Sequence, residues 1–245
     1  MTYCVGLMLN EGLVLLSDTR TNAGVDNIAS FRKTYLFEEP GERAIAILTA
    51  GSLSVTQTVI AKLQEAIDDP DAHPGGSIMQ AGSMLAVAEI VGNMLSQVST
   101  EIQAKMNRMQ QSATASMIVA GQRRGGAPRM FLIYPEGNFI EATPDTPFIQ
   151  IGEHKYGKPI LDRVITPETS IADGRLAVLL SMDSTLRSNL SVGMPLDLTI
   201  IRTDECRISE QLRIDERDPE FIALSEDWSN ALRDSFTRLR DQRKV

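Results

Sequence analysis

Cysteine, histidine and tryptophan are almost missing from this chain: two cysteines, two histidines and one tryptophan in 245 residues. Cys4 and Cys206 are too few for a disulfide framework or a four-thiolate zinc site. His73 and His154 lie far apart and form no metal-ligand cluster, so no metal is expected. The thiols read as small buried hydrophobes in strands. A Cys–His dyad stays an alternative, but nothing around Cys4 has the form of a cysteine nucleophile signature, and His73 falls in a linker. Long apolar runs are missing as well. No stretch of about 20 apolar residues exists, so no membrane-spanning helix is expected. The N-terminal MTYCVGLMLNEG has no basic region and is broken at Asn10-Glu11-Gly12, unlike a targeting signal. Basic charge is in deficit, 24 Lys and Arg against 32 Asp and Glu, a net charge of −8. That argues against nucleic acid or an anionic membrane as the main partner. Free thiols without a signal point to the cytoplasm.

What is present is ordinary for a globular chain: 42% apolar and 23% charged residues. A chain of this length buries roughly 70% of its unfolded surface and needs no covalent staple. No Gly/Pro/Ser-rich linker is long enough to divide it, so one domain over 1–245 is expected.

Residues 2–9 and 13–18 are apolar at nearly every position around Asn10-Glu11-Gly12, which predicts a β-hairpin covered on both faces. Residues 19–32 are rich in Thr, Asn, Gly and Asp and read as loop. Strands are expected at 33–38 and 43–49, then a helix from about Ser52 to Asp68. After the linker 69–76 a helical period runs through Met84, Val87, Val91, Leu95, Val98, Ile102, Met106 and Met109, predicting a helix over 77–110. Its methionines, with Met79 and Met94, read as core filler. The period then switches to two at 115–121, 129–134 and 138–142, with a further strand ending at Phe148-Ile149-Gln150-Ile151-Gly152. Helices are expected at 154–165, at 171–189 behind a Ser170/Asp173 capping box, and at 219–240. Strands at 197–203 and 206–213 precede the last one. Strands and helices come in groups, which disfavours a doubly wound parallel sheet and favours antiparallel sheets flanked by helices.

Thr2 carries the first chemical possibility. Initiator methionine before threonine is normally removed, which leaves a hydroxyl and a free α-amine on one residue. An α-amine titrates near pH ~8 and can serve as base for its own hydroxyl. Against this, Met-Thr is a common start. Asp18 ends the apolar hairpin, where a carboxylate has little place unless it faces a loop or a site. Lys33 opens the next strand, and an ammonium beside the amine would favour the amine's neutral, basic form. The plain alternative is a surface ion pair of little energetic worth. Gly51, in Thr49-Ala50-Gly51-Ser52, lies where a backbone N–H can serve as an oxyanion donor, or the turn is simply a helix start with a serine cap. Asp183 shares a helix face with Leu176 and Leu179 and must have a partner, either a backbone or hydroxyl donor or the N-terminal amine.

Thr2, Ser17-Asp18-Thr19-Arg20-Thr21, Phe31-Arg32-Lys33 and Thr49-Ala50-Gly51-Ser52 together resemble a proteasome-type β subunit. These are N-terminal-nucleophile hydrolases, and the likeness is strongest to the bacterial ancestral branch called Anbu, a relative of HslV. The resemblance spans essentially the whole chain and implies an α+β fold, a four-layer αββα sandwich of two antiparallel sheets. It implies Thr2 as nucleophile, Asp18 and Lys33 as the groups that tune it, Gly51 as oxyanion donor and Asp183 as a supporting carboxylate. Arg20 and Thr21 would line the substrate cleft. The family's Gly-Ser-Gly-Ser aligns with Gly152-Glu153-His154-Lys155, so Glu153 stands where a serine is expected; Leu186 stands where a second serine would fall, with Ser188 nearby. The activity implied is threonine-type endopeptidase cleavage of peptide or unfolded protein, without cofactor, in a ring or open-ring or helical assembly of identical subunits. HslV adds an ATP-driven unfoldase as a candidate partner; this chain has no phosphate-binding loop of its own. A non-peptidase amidohydrolase and a catalytically silent assembly subunit are the competing expectations.

Overall fold

The computed structural model describes residues 2–22, 28–106 and 113–243. The chain begins with the hairpin β1 (Tyr3–Leu9) and β2 (Gly12–Asp18), then β3 (Arg20–Asn22), β4 (Ile28–Ser30), β5 (Thr34–Glu39) and β6 (Arg43–Gly51). Two helices follow, α1 (Leu53–Asp68) and α2 (Met84–Met106), then strands β7 (Ala115–Arg123), β8 (Arg129–Ile133), β9 (Phe139–Glu141) and β10 (Phe148–Gly152). The last part is α3 (Lys158–Val164), α4 (Ile171–Ser188), β11 (Leu196–Arg202), β12 (Glu210–Ile214) and α5 (Pro219–Gln242).

Two five-stranded antiparallel sheets carry the fold, ordered β10-β1-β2-β11-β12 and β5-β6-β7-β8-β9. Strand alternation explains the layers. In β1 and β2, Val5, Leu7, Val14 and Leu16 face α3 and α4, meeting Leu161, Val178 and Met182. The intervening Cys4, Leu13 and Leu15 face the second sheet, meeting Ala44, Ala46, Leu48, Ile118 and Met130. The far side of that sheet, through Ile45, Ile47, Val119 and Phe131, packs on Val59, Leu63, Val91 and Leu95 of α1 and α2. Both faces of both sheets are thus covered, as the unbroken apolar runs required, and the architecture is the expected αββα sandwich.

Four local readings change, the first being the strand expected over 206–213, which forms only over Glu210–Ile214. Residues 19–32 are not all loop: Arg20 pairs with Ser30 and Thr21 with Ala29 in a two-stranded ribbon. The second helix starts at Met84, not at 77, because Ser83 accepts the Ala86 N–H on its hydroxyl at 3.1 Å and so caps it there. The helix expected over 154–165 is shorter, Lys158–Val164, with Pro159 in its first turn. Met79, Met84, Met94 and Met106 do pack against the α1–α2 core; Met109 lies outside the described residues. Ser170 caps α4 as expected, accepting from the Asp173 N–H at 3.1 Å.

Candidate active site

The end of β2 delivers Asp18 into the interior, with no exposed surface. Its Oδ1 accepts from Lys33 Nζ at 2.7 Å and from the Tyr3 N–H at 3.0 Å, and its Oδ2 from the Gly193 N–H at 3.2 Å. Lys33 is 4% exposed and also donates to the Arg20 carbonyl at 2.6 Å. This is no surface ion pair. Burial pushes the Asp18 carboxyl above its ordinary value, while the Lys33 charge and hydrogen bond and the Tyr3 and Gly193 N–H groups pull it back. A buried pair is tolerated only when its remaining lone pairs and protons are satisfied, and here every oxygen has a donor.

Thr2 is also buried, one residue before β1. Its carbonyl accepts the Glu153 N–H at 2.7 Å. Gly152, at φ +79°, turns the end of β10 so that this N–H can reach. Gly51, at φ +107°, ends β6 opposite Ala115. Ser52 does not cap α1 with its side chain; its N–H donates to the Thr114 carbonyl at 2.8 Å.

Thr2, Thr21, Lys33, Gly51, Ser52 and Met106 border one cavity of about 470 Å³. Five of the seven residues singled out from sequence therefore meet there: Thr2, Lys33, Gly51 and Thr21 on its wall, and Asp18 directly behind Lys33. Met106, read as core filler, has a second place on this wall.

The other two lie differently. Arg20 serves Lys33 through its backbone carbonyl, while its guanidinium donates to the Leu190 carbonyl at 3.1 Å and stands 3.9 Å from Glu216. Asp183 is buried on α4, but its carboxylate accepts from Ser225 Oγ at 2.5 Å and from Arg187 Nε at 3.2 Å. Its phase on the helix turns it toward α5, so the hydroxyl partner is realised and the hydrogen bonds of Asp183 stay within α4 and α5. Leu186 packs against the core beside α4.

Sequence reasoning missed two backbone groups. The Gly193 N–H holds Asp18, and the Glu153 N–H holds Thr2. The only signals were Gly193 just before Met194-Pro195 and Gly152 at a strand end. Tyr3 is a third omission: its hydroxyl bonds Ser181 Oγ and Gln150 Nε2, each at 2.6 Å, locking the start of β1 beside Thr2. Among the described residues, no group of three or more His, Cys, Asp or Glu could hold a metal ion. Among the same residues, no helix is long and apolar enough to cross a membrane.

If its own amine is free, Thr2 carries a hydroxyl nucleophile and a base on one residue, beside a cavity that Lys33 also borders.

The family model for proteasome subunits matches residues 2–201. A proteasome subunit beta from Haloquadratum walsbyi is 23% identical over 215 residues, covering 88% of this chain and 79% of that protein. Anbu from Yersinia bercovieri is 42% identical with a TM-score of 0.89, over 96% of each chain. A structure described as the helical assembly of the Anbu complex from Pseudomonas aeruginosa is 44% identical with a TM-score of 0.90, again over 96% of each chain. The chain belongs to the proteasome subunit family, in its Anbu branch.

Proposed function

We propose that this chain is a threonine-type peptidase subunit that cleaves peptide bonds in peptides or unfolded proteins, with Thr2 as nucleophile after removal of Met1. The observation that carries the reading is the buried Asp18–Lys33 ion pair, whose Lys33 lines the cavity that Thr2 also borders. A scaffold needs no such pair, and burying one is costly. In the mechanism, the neutral Thr2 amine takes the proton from Thr2 Oγ as the oxygen attacks the substrate carbonyl. The Gly51 N–H donates to the developing oxyanion. The amine returns the proton to the leaving nitrogen, and water then releases the acyl group from Thr2. Lys33, fixed by Asp18 and the Arg20 carbonyl, holds the amine in its basic form. Thr21 and Met106 would contact the substrate.

Assembly of identical subunits into a ring, open ring or helix follows by analogy with the Pseudomonas protein, and the cytoplasm is the compartment proposed. An ATP-driven unfoldase is the candidate partner for folded substrates.

The test is intact mass of the untagged protein before and after a threonine-directed electrophile, an epoxyketone or β-lactone. The expected result is loss of Met1 and one adduct on Thr2, absent in Thr2→Ala. Degradation of unfolded protein by the labelled-competent enzyme supports the peptidase; labelling without degradation moves the reading to a non-peptidase amidohydrolase. Met1 removed with no adduct, while a control threonine protease is labelled, points to a silent assembly subunit and overturns the proposal.

A further inference from the structure

Asp18 and Lys33 reach each other across the gap between the two sheets. β2, which carries Asp18, belongs to the first sheet; β5, which Lys33 precedes, belongs to the second. No backbone ladder therefore ties one segment to the other. One residue away on each segment, Ser17 Oγ and Thr34 Oγ1 are hydrogen-bonded at 2.8 Å. This contact also bridges the two sheets, and its residues adjoin Asp18 and Lys33 in the chain. Ser17 has no exposed surface and Thr34 is 5% exposed. Among the described residues neither hydroxyl has another hydrogen-bond partner. Asp197 stands opposite Ser17 across the β2–β11 ladder, but its carboxylate accepts from Arg213 Nη1 at 3.3 Å.

The layer between the sheets is otherwise apolar here, filled by Leu13 and Leu15 of β2, Leu36 of β5 and Leu48 of β6. A hydroxyl pair in such a layer contributes little net stability, and two apolar side chains of the same shape serve about as well. What the pair adds is direction. A hydrogen bond fixes a distance and an angle, and apolar contact fixes neither. We propose that Ser17 and Thr34 are positioning residues: their hydroxyl bond clips the first sheet to the second beside the Asp18–Lys33 pair and sets where the Lys33 ammonium stands. The Lys33 backbone is pinned from its other side by Thr49, whose N–H and hydroxyl donate to the Lys33 carbonyl at 2.9 and 3.3 Å. Thr34 supplies the second pin. The inference rests on the proposed function, in which Lys33 keeps the Thr2 amine neutral; a displaced ammonium lets that amine's pKa rise.

The untagged full chain tests it, as wild type, Ser17→Ala, Thr34→Val, the double variant and Thr34→Ser. The readouts are the pH profile of Thr2 acylation by an epoxyketone, the Tm, and acetylation of Lys33 relative to the exposed Lys155. Each single loss of a hydroxyl is expected to slow acylation about tenfold or more. The apparent pKa of acylation should rise by about half a unit or more. Tm should fall too, because one buried hydroxyl is left unpaired. The double variant has no unpaired hydroxyl, so its Tm should recover while acylation stays slow and Lys33 acetylates faster than in wild type. Thr34→Ser keeps the bond and the rate. A double variant that recovers acylation together with Tm shows that the hydroxyls serve folding alone and overturns the proposal. Wild-type acylation in the single variants, or a loss in Thr34→Ser equal to that in Thr34→Val, overturns it as well. A wild type that takes no electrophile overturns the peptidase reading instead. Acetylation of Lys33 needs no activity and then decides the clip: a faster rate in the double variant upholds it, and an unchanged rate overturns it.

Discussion

Gly152 stands so close to Thr2 that a β-carbon on it would lie 1.9 Å from the Thr2 carbonyl oxygen. The same glycine, at φ +79°, lets the Glu153 N–H reach that oxygen at 2.7 Å. The candidate nucleophile is therefore held by backbone groups at the end of β10, the edge strand paired with β1.

Gly152→Ala is expected to break this clamp. The left-handed backbone and the contact with Thr2 together should cost about 2–4 kcal/mol. In whatever fraction still folds, labelling of Thr2 should fall strongly. Urea unfolding and electrophile labelling check both parts; wild-type stability and labelling would contradict the clamp.

Lys33→Ala and Asp183→Asn should behave oppositely. Lys33→Ala leaves Asp18 buried with its nearest cation gone, and acylation of Thr2 should drop about a hundredfold or more. Asp183 is bonded to Ser225 and Arg187, so Asp183→Asn should cost about 1–2 kcal/mol of stability and leave the acylation rate within about threefold of wild type. Equal losses of rate in the two variants would return Asp183 to the catalytic group.

Tyr3 supplies a pH signature. Burial pushes its hydroxyl from 10.0 up to about 12, against the opposing hydrogen bonds to Ser181 and Gln150. The folded-state value lies above the unfolded one, so this contribution to stability is complete below the unfolded pKa and is lost as pH rises through the folded one. At about 1.4 kcal/mol per unit the loss is about 2–3 kcal/mol. The stability of wild type relative to Tyr3→Phe, from urea unfolding, should fall by about that amount between about pH 9 and pH 12. A constant difference would mean that Tyr3 ionises as freely folded as unfolded.

Much of this molecule is written in short-range pattern. The continuous apolar runs of β1 and β2 require cover on both faces, and the sandwich supplies it. The helical period of α2 and the Ser170 cap of α4 are local signals; α4 begins where its cap indicates, and α2 forms over the core of its period, Met84–Met106. The helix start at Met84 was not legible because Ile78, Met79 and Ala81 ahead of it drew the apolar pattern past the Ser83 cap. Asp18 and Lys33 were legible because charged residues at the ends of apolar strands have few places to go.

Local pattern along the chain set the order of elements, the two-faced sheets and which polar residues needed partners. Which partners they found was decided by tertiary structure. Asp183 could have bonded to either of two kinds of donor, and the packing of α5 on α4 selected Ser225. Asp18 is held by Gly193, 175 residues away, and Thr2 by Glu153, through backbone N–H groups that every residue but proline possesses. Such contacts leave no side-chain signature. They arise only when β10 and the turn before β11 are brought beside β1 and β2, because hydrogen bonding is a matter of distance in space and the periodicities of a chain report only distance along it.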